Sequence, residues 1–284
     1  MKKILALALA AIMCFSMVAL SSCGGKGYDF DNETELVMVT NAAFPPYEYT
    51  DPEGPFNGYA GIDVEIAMEI AKRLGKTLKI KDVEFDSIIG GINSGKYDMA
   101  LAGLTVTEER KKSVSFTDSY AKGVQVMIVA EGSAYTSIDD FFNYDENGDP
   151  VSLKNTDVKI GVQKTTTGDI YASSDVTGWG FNDLNEDGST KTERVIRYNT
   201  GADAVEALKT GRVDVVIIDN EPAKSFVSQN EGEIRILETA YAEEDYAIAV
   251  NLESTVLLEK INEVLKAMKE DGTVERIVRK YIPA

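Results

Sequence analysis

The pattern of apolar and polar positions along the chain predicts an α/β protein. Leu36 to Thr40 reads as a short apolar strand, followed by a proline-containing loop through Phe44-Pro45-Pro46-Tyr47. After Gly61-Ile62-Asp63, the residues Val64, Ile66, Ala67, Ile70, Ala71 and Leu74 recur at helical spacing. Asp63 is expected to cap that helix at its start and Gly75 to stop it. Strands and helices continue to alternate, which predicts a sheet with helices on its faces. Near the end, Leu257, Ile261, Val264, Leu265 and Met268 mark one apolar helix face.

An internal echo divides the chain. Ile92-Asn93-Ser94-Gly95-Lys96-Tyr97-Asp98 and Leu208-Lys209-Thr210-Gly211-Arg212-Val213-Asp214 share a helix end, a capping glycine, a basic residue and an Asp that enters an apolar strand. The strand after each Asp ends at Gly103 in the first copy and at Asp219 in the second. Ligands of open α/β sheets sit at the carboxyl ends of strands, so these two positions are expected to face one cleft from opposite sides. Two segments interrupt the alternation. Glu131 to Asp157 is acid-rich and contains the turn Asp145-Glu146-Asn147-Gly148-Asp149. Thr177 to Thr192 contains the only tryptophan, Trp179. Its Asp183, Asn185, Asp187 and Gly188 match the opening positions of a calcium loop, but Arg194 stands where the closing glutamate belongs, so a solvated insertion is expected there and no metal site.

Composition narrows the function. The 284 residues are 44% hydrophobic and 27% charged, which suits one or two compact domains. A formal charge of −18 opposes a phosphate backbone, so no nucleic acid is expected as partner. Histidine is absent, and the two cysteines are Cys14 and Cys23. The body of the chain therefore carries no catalytic thiol, disulfide or Cys/His zinc site, and the expected chemistry needs no cofactor. Lys2 and Lys3 precede an uncharged apolar run from Ile4 to Leu20, which reads as a signal peptide over residues 1–22. Leu20-Ser21-Ser22-Cys23 resembles the bacterial lipobox, and this resemblance implies lipidation at Cys23 and a polar tether over residues 23–33.

The most specific run is Ala102-Gly103-Leu104-Thr105-Val106-Thr107-Glu108-Glu109-Arg110, followed by Val114-Ser115-Phe116-Thr117. With it stand the Phe44-Pro45-Pro46-Tyr47 loop, Gly61-Ile62-Asp63, Gly161-Val162-Gln163 leading into Thr166-Thr167-Gly168, and Gly211-Arg212-Val213-Asp214 leading to Asp219. Together they resemble the polar amino-acid family of extracytoplasmic solute-binding proteins of ABC transporters, from Leu36 to Tyr281. The resemblance implies a two-lobed, type II periplasmic-binding-protein-like α/β fold with two strand crossovers forming a hinge. Lobe one is expected over 34–126 and 246–284, with the final helices packed on it, and lobe two over 127–245. It further implies a monomer that binds a free L-amino acid, serves an ABC permease and is held by its N-terminal lipid at the bacterial cell membrane, on the periplasmic face or cell surface.

An α-amino acid presents a carboxylate close to an ammonium, so a closed site must offer a cation with amides at one end and an anion with carbonyls at the other. The planar fork of Arg110 suits a carboxylate, and the resemblance assigns it that role. Thr166 and Thr167 open a short helix whose free amides attract the same group. Asp219 ends the apolar run Val213 to Ile218, where an unpaired carboxylate is costly. The resemblance gives Asp219 to the α-ammonium, helped by the Gly103 carbonyl and the Thr105 hydroxyl. It also places Phe44 and Phe85 on either side of the ligand side chain, with Tyr47 a further candidate and Gln163 completing the set; the alternative for each of the three rings is a place in the core.

Asn41 stands where relatives that read cationic side chains often place an acid. Its uncharged amide favours a neutral polar ligand such as glutamine, unless Asp86 or another acid compensates. Thr165 stands where the family usually has glycine. The competing classes are a cyclohexadienyl-dehydratase-like enzyme on the same fold and an amino-acid sensor component.

Overall fold

A computed structural model describes residues 27–237 and 240–283. The signal peptide, Cys23 and the start of the tether lie outside the described residues, within which no helix is long and apolar enough to cross a membrane.

Each lobe is built on its own sheet. The first has the strand order Thr77–Asp82, Glu35–Thr40, Met99–Ala100, Ala249–Asn251, Val114–Phe116. Its first three strands are parallel, and Ala249–Asn251 runs antiparallel between its neighbours. In the second sheet Val195–Tyr198, Ile160–Gln163 and Val215–Asp219 are parallel, and Ala121–Ala130 lies antiparallel beside Val215–Asp219. The parallel strands thus stand in the same spatial order in both sheets, with the earliest in sequence between the two that follow it.

The repeated sequence has a structural reason. Gly95 and Gly211 both adopt the left-handed conformation, at φ 69° and 70°, and turn the chain out of a helix into the third parallel strand. Asp98 then accepts the Val37 amide at 2.7 Å, and Asp214 the Lys159 amide at 2.8 Å. In each lobe that aspartate ties the third parallel strand to the first, which sets the register of the strand ends facing the cleft.

The chain enters the second sheet at Ala121 and leaves it at Tyr246, and these residues are paired. Ala121 to Gln125, ahead of the Val126 boundary expected from sequence, therefore form a two-stranded ribbon with Ala242–Tyr246. Tyr120 and Thr117 donate their amides to the carbonyls of Tyr246 and Ile248, at 2.9 Å each, and fasten the ribbon to lobe one. Two adjacent crossovers allow the lobes to rotate about one line.

The helix Ile62–Leu74 ends at Gly75 in the left-handed conformation, but Asp63 does not cap it. Gly61 occupies the cap position, while Asp63 lies in the first turn, fully buried. Its carboxylate accepts the Gly103 amide at 2.9 Å and the Tyr120 hydroxyl at 2.7 Å, so a tertiary demand displaces the capping role. The helix Thr255–Glu270 buries Leu257, Ile261, Leu265 and Met268 in the core shared with Ile66 and Ile70, with Val264 partly buried beside them. In the Trp179 segment Asp183–Leu184 pairs with Thr190–Thr192. Arg194 bonds the Asp183 carboxylate at 2.9 Å, so it neutralises the acid that would begin a calcium loop. No group of three or more acids suited to a metal ion occurs among the described residues.

A Cβ at Gly211 would meet no heavy atom within 4 Å, so its conformation alone resists substitution. Gly211→Ala should lower unfolding free energy by about 1 kcal/mol. Gly132→Ala, equally unobstructed and without positive φ, should stay within about 0.5 kcal/mol of the parent. Urea denaturation of both variants checks the contrast.

Candidate functional site

The cleft lies where the first and third parallel strands of both sheets end. Asn41 follows Glu35–Thr40 and Gly103 lies just beyond Met99–Ala100; Gln163 and Asp219 end the corresponding strands of the other lobe. Between them is a narrow, largely closed cavity. It is lined by Asn41, Phe44, Phe85, Gly103, Thr105, Arg110, Gln163, Thr166, Thr167 and Asp219, together with Glu48 and Ala102. Tyr47 alone of the expected residues does not line it. Its ring is 2% exposed, stacks on Phe44 at 6.1 Å and meets Tyr246 edge-on at 5.1 Å. It supports the wall instead of forming it.

At one end of the cavity stands Arg110, 8% exposed. Its guanidinium lies 5.5 Å from the Phe85 ring centre and donates to the carbonyls of Thr105, at 2.7 Å, and of Thr165 across the cleft, at 3.1 Å. It forms no ion pair with a carboxylate among the described residues. Burial holds its pKa below the usual value, opposed by the charges of Glu244 and Asp219. The remaining N–H groups of the fork suit an anion.

Thr166 caps the facing helix Thr167–Ala172 by accepting the Asp169 amide. Thr165 is left-handed at φ 62°, an expensive conformation for a β-branched residue. Asp169 holds it there by accepting its amide at 2.9 Å, and Arg197 fixes Asp169 with an ion pair at 2.9 Å.

Asp219 lines the same cavity from lobe two. It occupies the cap position of the helix Asn220–Gln229 but makes no side-chain capping bond. Its carboxylate accepts the phenol of Tyr246, also meets the side-chain amide of Gln125, and forms no ion pair among the described residues. The phenol crosses the other hinge strand at Gly123, where a Cβ would stand 2.4 Å from its oxygen. Burial first, and the charge of Glu244 second, push the pKa of Asp219 up to about 7. Gly103 is left-handed at φ 51°, with its Cβ direction closed by the Phe44 ring at 2.7 Å. The Asp63 bond to its amide fixes this turn.

The two amide side chains of the cavity wall bind each other. Gln163 Nε2 donates to Asn41 Oδ1 at 2.9 Å across the cleft, and Asn41 Nδ2 donates to the Val83 carbonyl at 2.9 Å. Asp86 is drawn away by an ion pair with Lys164 at 2.9 Å. Sequence reasoning missed Glu48, which is 1% exposed and lines the cavity. Neither of its carboxyl oxygens meets a donor among the described residues. Burial, then the neighbouring Asp63 carboxylate, raise its pKa well above the usual range. The one sequence signal was an acid between two aromatics, Tyr47 and Tyr49, just after the Phe44 loop.

The chain as a whole is similar to known proteins. Residues 36–284 match the model of the bacterial extracellular solute-binding proteins, family 3. The arginine-binding extracellular protein ArtP of Bacillus subtilis is 28% identical over 99% of this chain and 98% of its own. A probable histidine-binding protein of Neisseria gonorrhoeae is 30% identical over 96% and 94%. The solved structure of an ancestral arginine-binding protein bound to glutamine is 33% identical with a TM-score of 0.73, covering 89% of this chain and 99% of that one. These are substrate-binding proteins of transport and not enzymes. The chain belongs to the bacterial extracellular solute-binding proteins of family 3, amino-acid-binding proteins of ABC transporters with a two-lobed fold.

Proposed function

We propose that this protein captures a cationic amino acid, arginine foremost, between its lobes and presents it to an ABC permease while anchored through a lipid on Cys23. The carrying observation is the charge of the cavity wall, whose charged side chains are Arg110, Asp219 and Glu48. When ionised they sum to one negative charge. A ligand that neutralises each of them has an α-carboxylate at Arg110, an α-ammonium at Asp219 and a cation on its side chain at Glu48. The carbonyl of Gly103 and the hydroxyl of Thr105 assist the ammonium, the Thr166–Thr167 amides the carboxylate, and Phe44 and Phe85 flank the side chain. Lobe one supplies Arg110, Thr105 and Glu48, and lobe two supplies Thr166, Thr167 and Asp219, so a monomer closes on its ligand. Relatives named for arginine and histidine binding support this reading.

A second reading, a neutral amide such as glutamine, is favoured by Asn41 and Gln163, which offer donors and acceptors without charge. Here Glu48 keeps its proton.

Calorimetry with L-arginine and L-glutamine separates the two. An ammonium favours ionised Asp219, so affinity for either amino acid should rise as pH increases from about 6 to about 8, through the Asp219 pKa of about 7. Arginine should bind more tightly and release more protons, because Glu48 must also ionise opposite its guanidinium. Tighter glutamine binding with equal proton release would assign the neutral ligand.

Asp219→Ala removes the charge-assisted bond to the ammonium and should weaken binding by about 1.5–3 kcal/mol. Small-angle scattering should show ligand-induced compaction in the parent, reached by Asp219→Ala only at much higher ligand concentration. Tight binding by the parent without compaction contradicts the closing clamp.

Anchoring is tested separately. Cys23→Ser should leave the membrane fraction as soluble or uncleaved protein with unchanged ligand affinity; a correctly cleaved variant that stays on the membrane disproves the lipid anchor.

A further inference from the structure

We infer that a buried pair in the hinge, Glu244 and Gln125, sets the direction of two hydroxyls in the cavity wall, making Thr105 an acceptor and Thr167 a donor toward the ligand. Gln125 lies on Ala121–Ala130 and is fully buried, while Glu244 lies on Ala242–Tyr246 and is 6% exposed. Glu244 Oε2 receives the Thr105 hydroxyl at 2.8 Å and Gln125 Nε2 at 3.1 Å. Gln125 Nε2 also reaches Thr167 Oγ1 at 3.3 Å. One path thus runs from a cavity residue of lobe one, through both hinge strands, to a cavity residue of lobe two.

The chemistry of each group fixes the polarity of the path. A carboxylate has no proton to give, so the single O–H of Thr105 points at Glu244 and its lone pairs remain. An amide nitrogen has no lone pair to offer, so Thr167 accepts from Gln125 and its own proton remains. Neither hydroxyl has another side-chain or backbone hydrogen bond among the described residues. Both threonines line the cavity, and Glu244 and Gln125 do not. The hinge pair are therefore positioning residues that act through the threonines. On the amino-acid reading above, on which this inference rests, the acceptor Thr105 suits the ammonium beside Asp219. The donor Thr167 suits the carboxylate beside Arg110. Because the path spans the hinge, both polarities are set together when the lobes close.

Each of the twenty common L-amino acids is titrated against the parent, Glu244→Met, Thr105→Val and the double variant, with circular dichroism and melting to confirm folding. Glu244→Met leaves the Thr105 proton without its acceptor and should weaken every amino acid that the parent binds by the same factor, about tenfold or more. Added to Thr105→Val it should cost less than about twofold further, because its action passes through that hydroxyl. Glu244→Gln, whose amide oxygen still accepts from Thr105 and Gln125, should restore parent affinity, whereas a role through net charge predicts the same loss as Glu244→Met. Parent affinity in Glu244→Met, multiplying losses in the double variant, or an equal loss in Glu244→Gln overturns the inference. Should Glu244→Met fail to fold, the same cycle with Gln125→Met and Thr167→Val decides it. Which amino acids the parent binds judges the arginine reading, and the ratios between variants judge the hinge pair.

Discussion

The cost of removing carboxylates from water governs this cleft. Glu48, Asp63, Asp219 and Glu244 are all buried close to one another, with Arg110 the cation among them. Such charges are tolerated when other groups hydrogen-bond them or neutralise them. Asp63 takes a phenol and a backbone amide, Glu244 a hydroxyl and an amide side chain, and Asp219 a phenol. Glu48 has no donor among the described residues. Asp63 and Glu244 are therefore matched within the scaffold, whereas Asp219 and Glu48 line the cavity without a cation beside them among the described residues. That division separates scaffold from recognition.

The repeated strand order carries this electrostatics into geometry. In both lobes the first and third parallel strands deliver their last residues to one edge, so Asn41 meets Gln163 directly. Gly103 and Asp219, the ends of the two echoed units, share the wall. The lobes nevertheless differ in what they supply. Lobe one brings a buried guanidinium and aromatic rings, and lobe two brings a capped helix start and a carboxylate. Arg110 and Asp219, of opposite charge, thus reach the cavity from different lobes.

Thr165 shows how much closure depends on local over-determination. A threonine in a left-handed conformation is strained, yet its amide is held by Asp169, and its carbonyl accepts from Arg110 of the other lobe. The resemblance to a glycine-bearing loop put the shape of this turn in doubt. The Arg197–Asp169 pair preserves it without the glycine.

Local pattern was enough to specify the helix ending at Gly75, the buried face of the penultimate helix, and the glycine turns of the echo, because periodicity and backbone strain act over a few residues. Asp219 stood out because a carboxylate that ends an apolar run is costly without a partner, while Arg110 was marked by the resemblance. Asp63 could not be read correctly from its position two residues into a helix, because its partners Gly103 and Tyr120 come from remote parts of the chain. For the same reason Asp86 carries no sign in the sequence of being taken by Lys164, and Tyr47 none of lying behind Phe44. Glu48 gains its meaning only when folding withdraws it from water and sets it in the cavity wall without a donor. Burial is a property of packing between segments, so the tertiary structure alone decided which acids are scaffold and which line the cavity.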